Sequence, residues 1–180
     1  MVRKALRIAT VAFAAAAMTG TSALAADMLQ PGAKAPEFSL PSQEDTNVSL
    51  SQYKGKWVVL YFYPKDMTTG CTIEAHKFQA DLDKYKAVNA VILGVSVDDV
   101  NSHKQFCTKD SLTFTLLADP DKKVVQQYGS LTNYGPMQIA ARNTFLINPE
   151  GKIVKVWTKV NPNVHSEEVL STLNEMQKKG

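Results

Sequence analysis

Two apolar runs separated by a helical segment limit the folds open to this chain more than any other feature. The runs span residues 56–63 and 90–97, and both are rich in β-branched and aromatic residues with almost no polar alternation. Such runs are typical of strands buried on both faces. Between them, apolar residues recur at helical spacing along residues 72–86. This order predicts parallel strands in an α/β domain.

After the second run the alternation continues and then changes. Asp98 and Asp99 suit a turn and a helix N-cap, which predicts a helix over residues 100–109. The further predicted elements are a strand (114–118), a short helix opened by Asp119-Pro120 and ending at Gln127, a loop (129–138), two strands (143–147 and 152–159) joined by the turn Asn148-Pro149-Glu150-Gly151, and a final helix (166–178). Alternating βα units followed by a hairpin and a helix describe a thioredoxin-like α/β fold, in which helices flank a central mixed sheet.

The first 25 residues have the pattern of a secretory leader. Three basic residues lie among the first seven, residues 8–18 form an uncharged apolar stretch, and Ala23-Leu24-Ala25 is a small-x-small cleavage site. The apolar stretch is rich in alanine and shorter than the ~20 residues that a spanning helix needs. We therefore predict cleavage after Ala25, an exported, periplasmic product without a membrane anchor, and one thioredoxin-like domain over residues 26–180.

Removal of this leader changes the charge of the chain. The full sequence has 20 basic and 17 acidic residues, and the leader holds three of the basic ones and none of the acidic ones. The mature chain is therefore formally neutral and has no long basic run, which argues against binding of nucleic acid or of an anionic membrane. A chain of this length buries a core without disulfide staples, so its two cysteines are not needed as a scaffold.

Cys71 lies where the first apolar run gives way to the helix. The run ends at Pro64, and the small residues 68–70 then lead to Cys71 at the predicted helix start. Backbone N–H groups at a helix N-terminus lack partners and the peptide dipoles add positive potential, so a thiol there ionises more readily and becomes a nucleophile. A structural role stays open as the alternative, because one helical stripe is formed by Cys71, Ala75, Phe78, Leu82 and Tyr85.

The residues around Cys71 resemble those of a known family. The pattern Pro64-x-x-x-Thr68-x-x-Cys71 matches the peroxiredoxin signature, and the segment 61–66 is similar to the peroxiredoxin Q, or bacterioferritin comigratory protein, subfamily. Later blocks that are similar to the subfamily follow in the expected order, at residues 116–119, 142–147 and 151–153. The resemblance covers nearly the whole mature chain and implies a thiol-dependent peroxidase without a metal or organic cofactor.

The resemblance implies a role for each matching residue. Cys71 would be the peroxidatic cysteine, which attacks the O–O bond of a hydroperoxide and becomes a sulfenic acid. Thr68 would place its hydroxyl beside the sulfur, and Pro64 would cap the pocket without an N–H group to attract water. Arg142 would keep the sulfur ionised and stabilise the developing charge. Glu74 is in position to orient Arg142, but the helix dipole favours an acid there in any case, so Glu74 is left out of the predicted site.

The chain departs from the subfamily pattern at one position. Many members carry a second cysteine five residues after the first, where this chain has His76. Cys107 resembles the resolving cysteine of another subgroup, which implies an intramolecular disulfide with Cys71. In the alternative, Cys107 is a buried structural residue and an external thiol resolves the sulfenic acid. Packed helices keep their axes about 8–10 Å apart and bonded cysteines need Cα atoms about 4.4–6.8 Å apart, so a disulfide would require local unwinding.

Other functions would use the same residues differently. A redox sensor or client-binding module would use the same thiolate of Cys71 without rapid turnover. A copper-delivery protein would need two cysteines three apart at the helix start, and a disulfide oxidoreductase would need a C-x-x-C pair. The segment from Cys71 to His76 has no second cysteine, so both patterns are missing. His76 and His103 lack nearby ligands at metal-binding spacing. We therefore predict a peroxidase of hydrogen peroxide and organic hydroperoxides that is reduced by a thioredoxin-like donor, with a monomer implied by the subfamily.

Overall fold

The computed structural model describes residues 28–179, and the leader predicted for residues 1–25 lies outside that part of the chain. No helix within residues 28–179 is long and apolar enough to span a bilayer. The elements in chain order are β1 (Ser39–Pro41), β2 (Asn47–Ser49), a 3-10 helix (Leu50–Tyr53), β3 (Trp57–Phe62), α1 (Thr69–Ala80), α2 (Leu82–Ala87), β4 (Ala90–Ser96), α3 (Val100–Asp110), β5 (Thr115–Ala118), α4 (Lys123–Gln127), β6 (Leu131–Tyr134), β7 (Met137–Ala140), β8 (Asn143–Ile147), β9 (Ile153–Thr158) and α5 (His165–Lys179).

Strand β3 is the centre of a five-stranded sheet with the order β5-β4-β3-β8-β9. It pairs in parallel with β4, and β4 pairs in parallel with β5; a helical crossover joins each pair, as parallel pairing requires. On its other side β3 pairs antiparallel with β8, so that Phe62 lies opposite Asn143, and β9 follows at the edge. The predicted thioredoxin-like α/β layout with a central mixed sheet is confirmed.

The sheet has an apolar core on each face, and the side chains of β3 alternate between the two cores. Leu60 and Phe62 belong to one core, which α4 and the segment before β3 help to cover. Val59 and Tyr61 belong to the other, which is filled by side chains of α1, α2, α3 and α5. Full burial of a large apolar side chain contributes roughly 1.5–3 kcal/mol. Cys71 is a member of the second core.

Some predicted elements differ from the observed ones. The loop predicted over residues 129–138 is wrong, because β6 and β7 pair there as an antiparallel hairpin with Gly135 at its turn. The helix predicted over residues 72–86 begins earlier, at Thr69, and is interrupted at Asp81. The side chain of Asp81 accepts hydrogen bonds from Lys84 Nζ and Ser166 Oγ, which ties this break to α5. A small hairpin of β1 and β2 also forms in the segment whose turn residues predict only irregular structure.

Candidate active site

Cys71 lies in the first turn of α1, just beyond the carboxyl end of the central strand. After β3 the Tyr63 amide still donates to a β4 carbonyl at 3.1 Å, and the chain then turns through residues 64–68. Thr68 is the N-cap of α1, with an extended backbone (φ −88°, ψ 150°). The helix begins at Thr69, before the predicted start, so the thiol lies inside the first turn. Backbone N–H groups there have no helical partner.

The sheet brings Arg142 to the Cys71 sulfur. Arg142 directly precedes β8, and the pairing of Phe62 with Asn143 places it at the same end of the sheet as the start of α1. Its Nη2 donates a hydrogen bond to Cys71 Sγ at 3.2 Å. Only 2% of the Cys71 surface is exposed, so water screens this contact poorly. Two residues 71 positions apart in sequence are thereby in direct contact.

Glu74 holds Arg142 from the other side. Its Oε2 accepts a hydrogen bond from Arg142 Nη1, and its carboxyl is buried, with Oε1 having no partner in the described structure. Burial raises the pKa of Glu74 to about 7, although the charge and the hydrogen bond of Arg142 lower it. Burial lowers the pKa of Arg142, but the charges of Glu74 and Cys71 outweigh this effect and raise it above its ordinary value. The guanidinium therefore stays charged between the two groups.

Glu74 is not part of the predicted site, but the structure places it there, in contact with Arg142. The available signal was its spacing, because residues i and i+3 lie on one face of a helix. Glu74 is therefore on the same side of α1 as Cys71 and can share a partner with it. The helix dipole alone would explain an exposed glutamate at this position. Glu74 is only 1% exposed, so the dipole is not a sufficient explanation for it.

Three further residues lie in or beside the turn that precedes α1. The Thr68 Oγ1 donates its proton to the Lys65 carbonyl at 3.0 Å, so its lone pairs stay available as acceptors. Pro64 is half-buried and lines a cleft with the hairpin of β6 and β7. Gly70 lies against Arg142, because a Cβ added to it would be 3.3 Å from Nη2. A glycine there leaves room for the guanidinium.

Cys107 lies on α3 and packs against the core that contains Cys71. Both cysteines are free, and Cys107 is partly exposed. Burial, and after it the negative charges of Asp66 and Glu44, raise the pKa of Cys107 to about 11. This thiol is therefore protonated at neutral pH, and a protonated thiol is a poor nucleophile. The two cysteines share one side of the sheet in an unbonded state.

His76, which stands at the common second-cysteine position, faces α3. Its Nε2 lies 3.1 Å from Asp110 Oδ1 at the end of that helix, so this side chain bridges the two helices that carry the cysteines. His103 is fully buried on α3 and contacts a different acid, Asp66. Within residues 28–179, no group of three His, Cys, Asp or Glu side chains is arranged to hold a metal ion.

Known proteins are similar to this chain in sequence and in fold. A family model described as AhpC/TSA family matches residues 31–156. The chain belongs to the AhpC/TSA family. Peroxiredoxin Bcp from Bacillus subtilis is 41% identical to it over 155 residues, which covers 84% of this chain and 99% of that one. Peroxiredoxin Q, chloroplastic, from Oryza sativa subsp. japonica is 36% identical over 160 residues, or 88% of this chain and 73% of that one.

A solved structure agrees with these relatives. The crystal structure of a PrxQ mutant from Xylella fastidiosa is similar to this AhpC/TSA protein with a TM-score of 0.80 and 34% identity, covering 84% of this chain and 99% of that one. Membership of the family makes the chain a thiol-dependent peroxidase, which confirms the predicted resemblance and activity. The peroxiredoxin names of its relatives do not favour the redox-sensor alternative.

Proposed function

We propose that this thiol-dependent peroxidase reduces hydrogen peroxide and organic hydroperoxides by attack of Cys71 on the O–O bond. The observation that carries the proposal is the hydrogen bond from Arg142 Nη2 to Cys71 Sγ at the start of α1 (3.2 Å). The guanidinium and the unpaired N–H groups of the first turn favour an anionic sulfur, which is the reactive form. The sulfur takes one peroxide oxygen and becomes a sulfenic acid. The O–O bond breaks, and the other oxygen takes up a proton and leaves as water or an alcohol.

The neighbouring side chains support each part of this step. Arg142 has a donor on the sulfur and stabilises the negative charge that develops on the leaving oxygen. Thr68 Oγ1, whose proton is donated to Lys65, accepts the O–H of the incoming peroxide and orients it. Pro64 offers no N–H group to water at the entrance. In this proposal Cys71 carries the reaction without a metal or organic cofactor.

In the second half of the reaction, Cys107 condenses with the sulfenic acid of Cys71 and a thioredoxin-like dithiol reduces the resulting disulfide. Support comes from the position of Cys107, which packs on the same core as Cys71 and lies on a helix that His76 connects to α1. If Cys107 were only structural, an external thiol would have to resolve the sulfenic acid.

Stopped-flow oxidation of the reduced protein tests both halves. Trp57 and Trp157 pack against the core that contains Cys71, so intrinsic fluorescence should report changes there. After one equivalent of hydrogen peroxide, the wild type should lose two mass units and Cys107→Ser should gain sixteen or form a dimer. Oxidation no faster than that of a free thiol would refute the role of Cys71. The same mass change in Cys107→Ser as in the wild type would refute the role of Cys107.

We also propose that residues 1–25 are a cleaved signal peptide and that the mature enzyme is a periplasmic monomer. Support comes from the leader pattern and, for the monomer, from the subfamily resemblance. Cell fractionation with N-terminal sequencing should find the protein outside the cytoplasm with Ala26 as its first residue. Light scattering should give the mass of one chain. An intact Met1 end in the cytoplasmic fraction would contradict export, and a larger mass would contradict the monomer.

A further inference from the structure

A buried polar cluster joins the turn before Cys71 to helix α3. Asp66, which lies in that turn, has a side chain that is only 1% exposed. Its Oδ1 accepts a hydrogen bond from Tyr63 Oη at 2.6 Å, and its Oδ2 accepts from Ser102 Oγ at 2.7 Å and from His103 Nδ1 at 2.8 Å. We refer to Tyr63, Asp66, Ser102 and His103 as the Asp66 cluster.

The carboxyl of this cluster is an ionised acceptor. Burial raises the pKa of Asp66, but the hydrogen bond and the charge interaction with His103, and after them the hydrogen bonds from Tyr63 and Ser102, outweigh it and hold the pKa below its ordinary value. A buried carboxylate that loses such donors is left with an uncompensated charge. Loss of any one hydrogen bond between the turn and α3 is therefore energetically unfavourable.

The cluster fixes the half of α3 that precedes Cys107. The Asp66 amide donates to Asp98 Oδ2 at 2.9 Å just before the helix, and Asp99 caps the helix by accepting from the Ser102 amide at 2.8 Å. Cys107 lies one helical turn beyond His103, so the two share a face of α3. Any movement of this half of α3 relative to the turn before Cys71 must break its bonds to Asp66.

We expect formation of a disulfide to require such a movement. The sulfurs of Cys71 and Cys107 are unbonded and lie on two helices that pack on one core. Packed helices keep their axes about 8–10 Å apart, whereas a disulfide needs Cα atoms about 4.4–6.8 Å apart. The attacking thiol must also be ionised, whereas burial, and after it the negative charge of Asp66, raises the pKa of Cys107 and keeps it protonated in this conformation. Opening of α3 would therefore supply both the approach and the ionisation that Cys107 lacks.

We propose that Asp66 is a positioning residue that holds α3 closed and thereby sets the rate at which oxidised Cys71 is resolved by Cys107. The proposal rests on the proposed resolving role of Cys107. In this resolution step the Cys107 thiolate attacks the sulfenic sulfur of Cys71, an S–S bond forms, and the S–O bond breaks. The departing hydroxide takes up the proton released by Cys107 and leaves as water. The closed state lengthens the life of the sulfenic acid and so exposes it to a second peroxide.

The test compares Asp66→Asn with the wild type in two kinetic phases. The second-order oxidation of Cys71 should change little, because Asp66 does not contact the sulfur. The first-order resolution should accelerate on the order of tenfold or more, which is the factor expected for loss of a hydrogen bond to a charged group. Ser102→Ala, which removes one donor and leaves the others, should give a smaller acceleration. The fraction of sulfinic acid found by mass at high peroxide should fall in parallel.

Asp81→Asn is the matched control, because Asp81 is also buried and accepts a hydrogen bond from a serine hydroxyl (Ser166 Oγ, 2.8 Å) but lies away from α3. It should lower global stability without accelerating resolution. The combined variant of Asp66 and Ser102 should be less than additive, since both act through one carboxylate. A slow phase unchanged in Asp66→Asn, or accelerated equally in the control, overturns the proposal while Cys107 still resolves. A wild type that gains sixteen mass units instead of losing two overturns the resolving role as well.

Discussion

Replacement of Glu74 by glutamine should make the enzyme more stable at pH 8 and slower. The pKa of this buried carboxyl is raised from its ordinary 4.5 to about 7. Between these values the unfolded chain has lost a proton that the folded chain still holds, so stability falls as the pH rises from 4.5 to 7 and is constant above. A difference of 2.5 pKa units corresponds to about 3 kcal/mol. Glutamine removes this loss because its amide does not titrate.

Urea unfolding from pH 4.5 to pH 8 measures the effect. The quantity to follow is the free energy of unfolding of Glu74→Gln minus that of the wild type, because other groups that titrate in this range cancel in the difference. This difference should rise by about 3 kcal/mol from the acid to the alkaline end. Glu175→Gln on the exposed face of α5 is the control and should show no such rise. Parallel curves for Glu74→Gln and the wild type would refute the assignment of the raised pKa.

The same variant should oxidise more slowly. Glu74 accepts from Arg142 Nη1 while Nη2 contacts the sulfur, so a neutral partner holds the guanidinium less firmly. We expect the second-order rate to fall about tenfold, less than the factor of about 100–1,000 typical for removal of a preorganised donor. An unchanged rate would show that Arg142 is held by the sheet alone. A stabilised but slower enzyme would make Glu74 a case of stability given up for activity.

Three further predictions follow from single contacts. Gly70→Ala should displace the Arg142 guanidinium, because the added Cβ would lie 3.3 Å from Nη2. The oxidation rate in stopped flow should fall while the α-helical circular dichroism signal is kept. Full activity would show that Arg142 can shift without losing its effect on the reaction. Burial and the charge of Arg142 lower the pKa of His165 from 6.5 to about 4, so stability should fall by about 3 kcal/mol as the pH drops across that range, and His165→Gln should lack this fall in urea unfolding. His76→Cys introduced into Cys107→Ser should restore the loss of two mass units on oxidation, and a gain of sixteen would refute it.

The central strands and their order could be predicted because burial imposes a pattern on them. The observed β3 and β4 lie within the predicted runs, and α3 ends one residue beyond its predicted end. Continuous apolar sequence and capping residues are local signals, and they carry this information directly. The sequence does not predict the hairpin of β6 and β7, for the opposite reason. Most of its side chains face solvent, so its strands depend on backbone hydrogen bonds that leave no periodic trace in the sequence.

The site was only partly predictable for a similar reason. The position of Cys71 at a helix start follows from local sequence, whereas the contact with Arg142 depends on the pairing of β3 with β8. The sequence identifies both strands but contains no local signal that they are neighbours, so Arg142 entered the prediction through family resemblance alone. Glu74 and Asp66 owe their importance to burial, which only the packed structure reveals.

The opposition of Phe62 and Asn143 also limits how chains of this kind can vary in length. A strand that slips by one residue turns each of its side chains to the opposite face of the sheet. A residue inserted between Arg142 and Asn143 would therefore carry the guanidinium away from the sulfur while leaving the strand intact. The exposed turn at Gly135, on the same stretch of chain, carries no such constraint. Insertions and deletions in homologous chains are thus expected to occur at that turn and to be absent from the connection between β7 and β8.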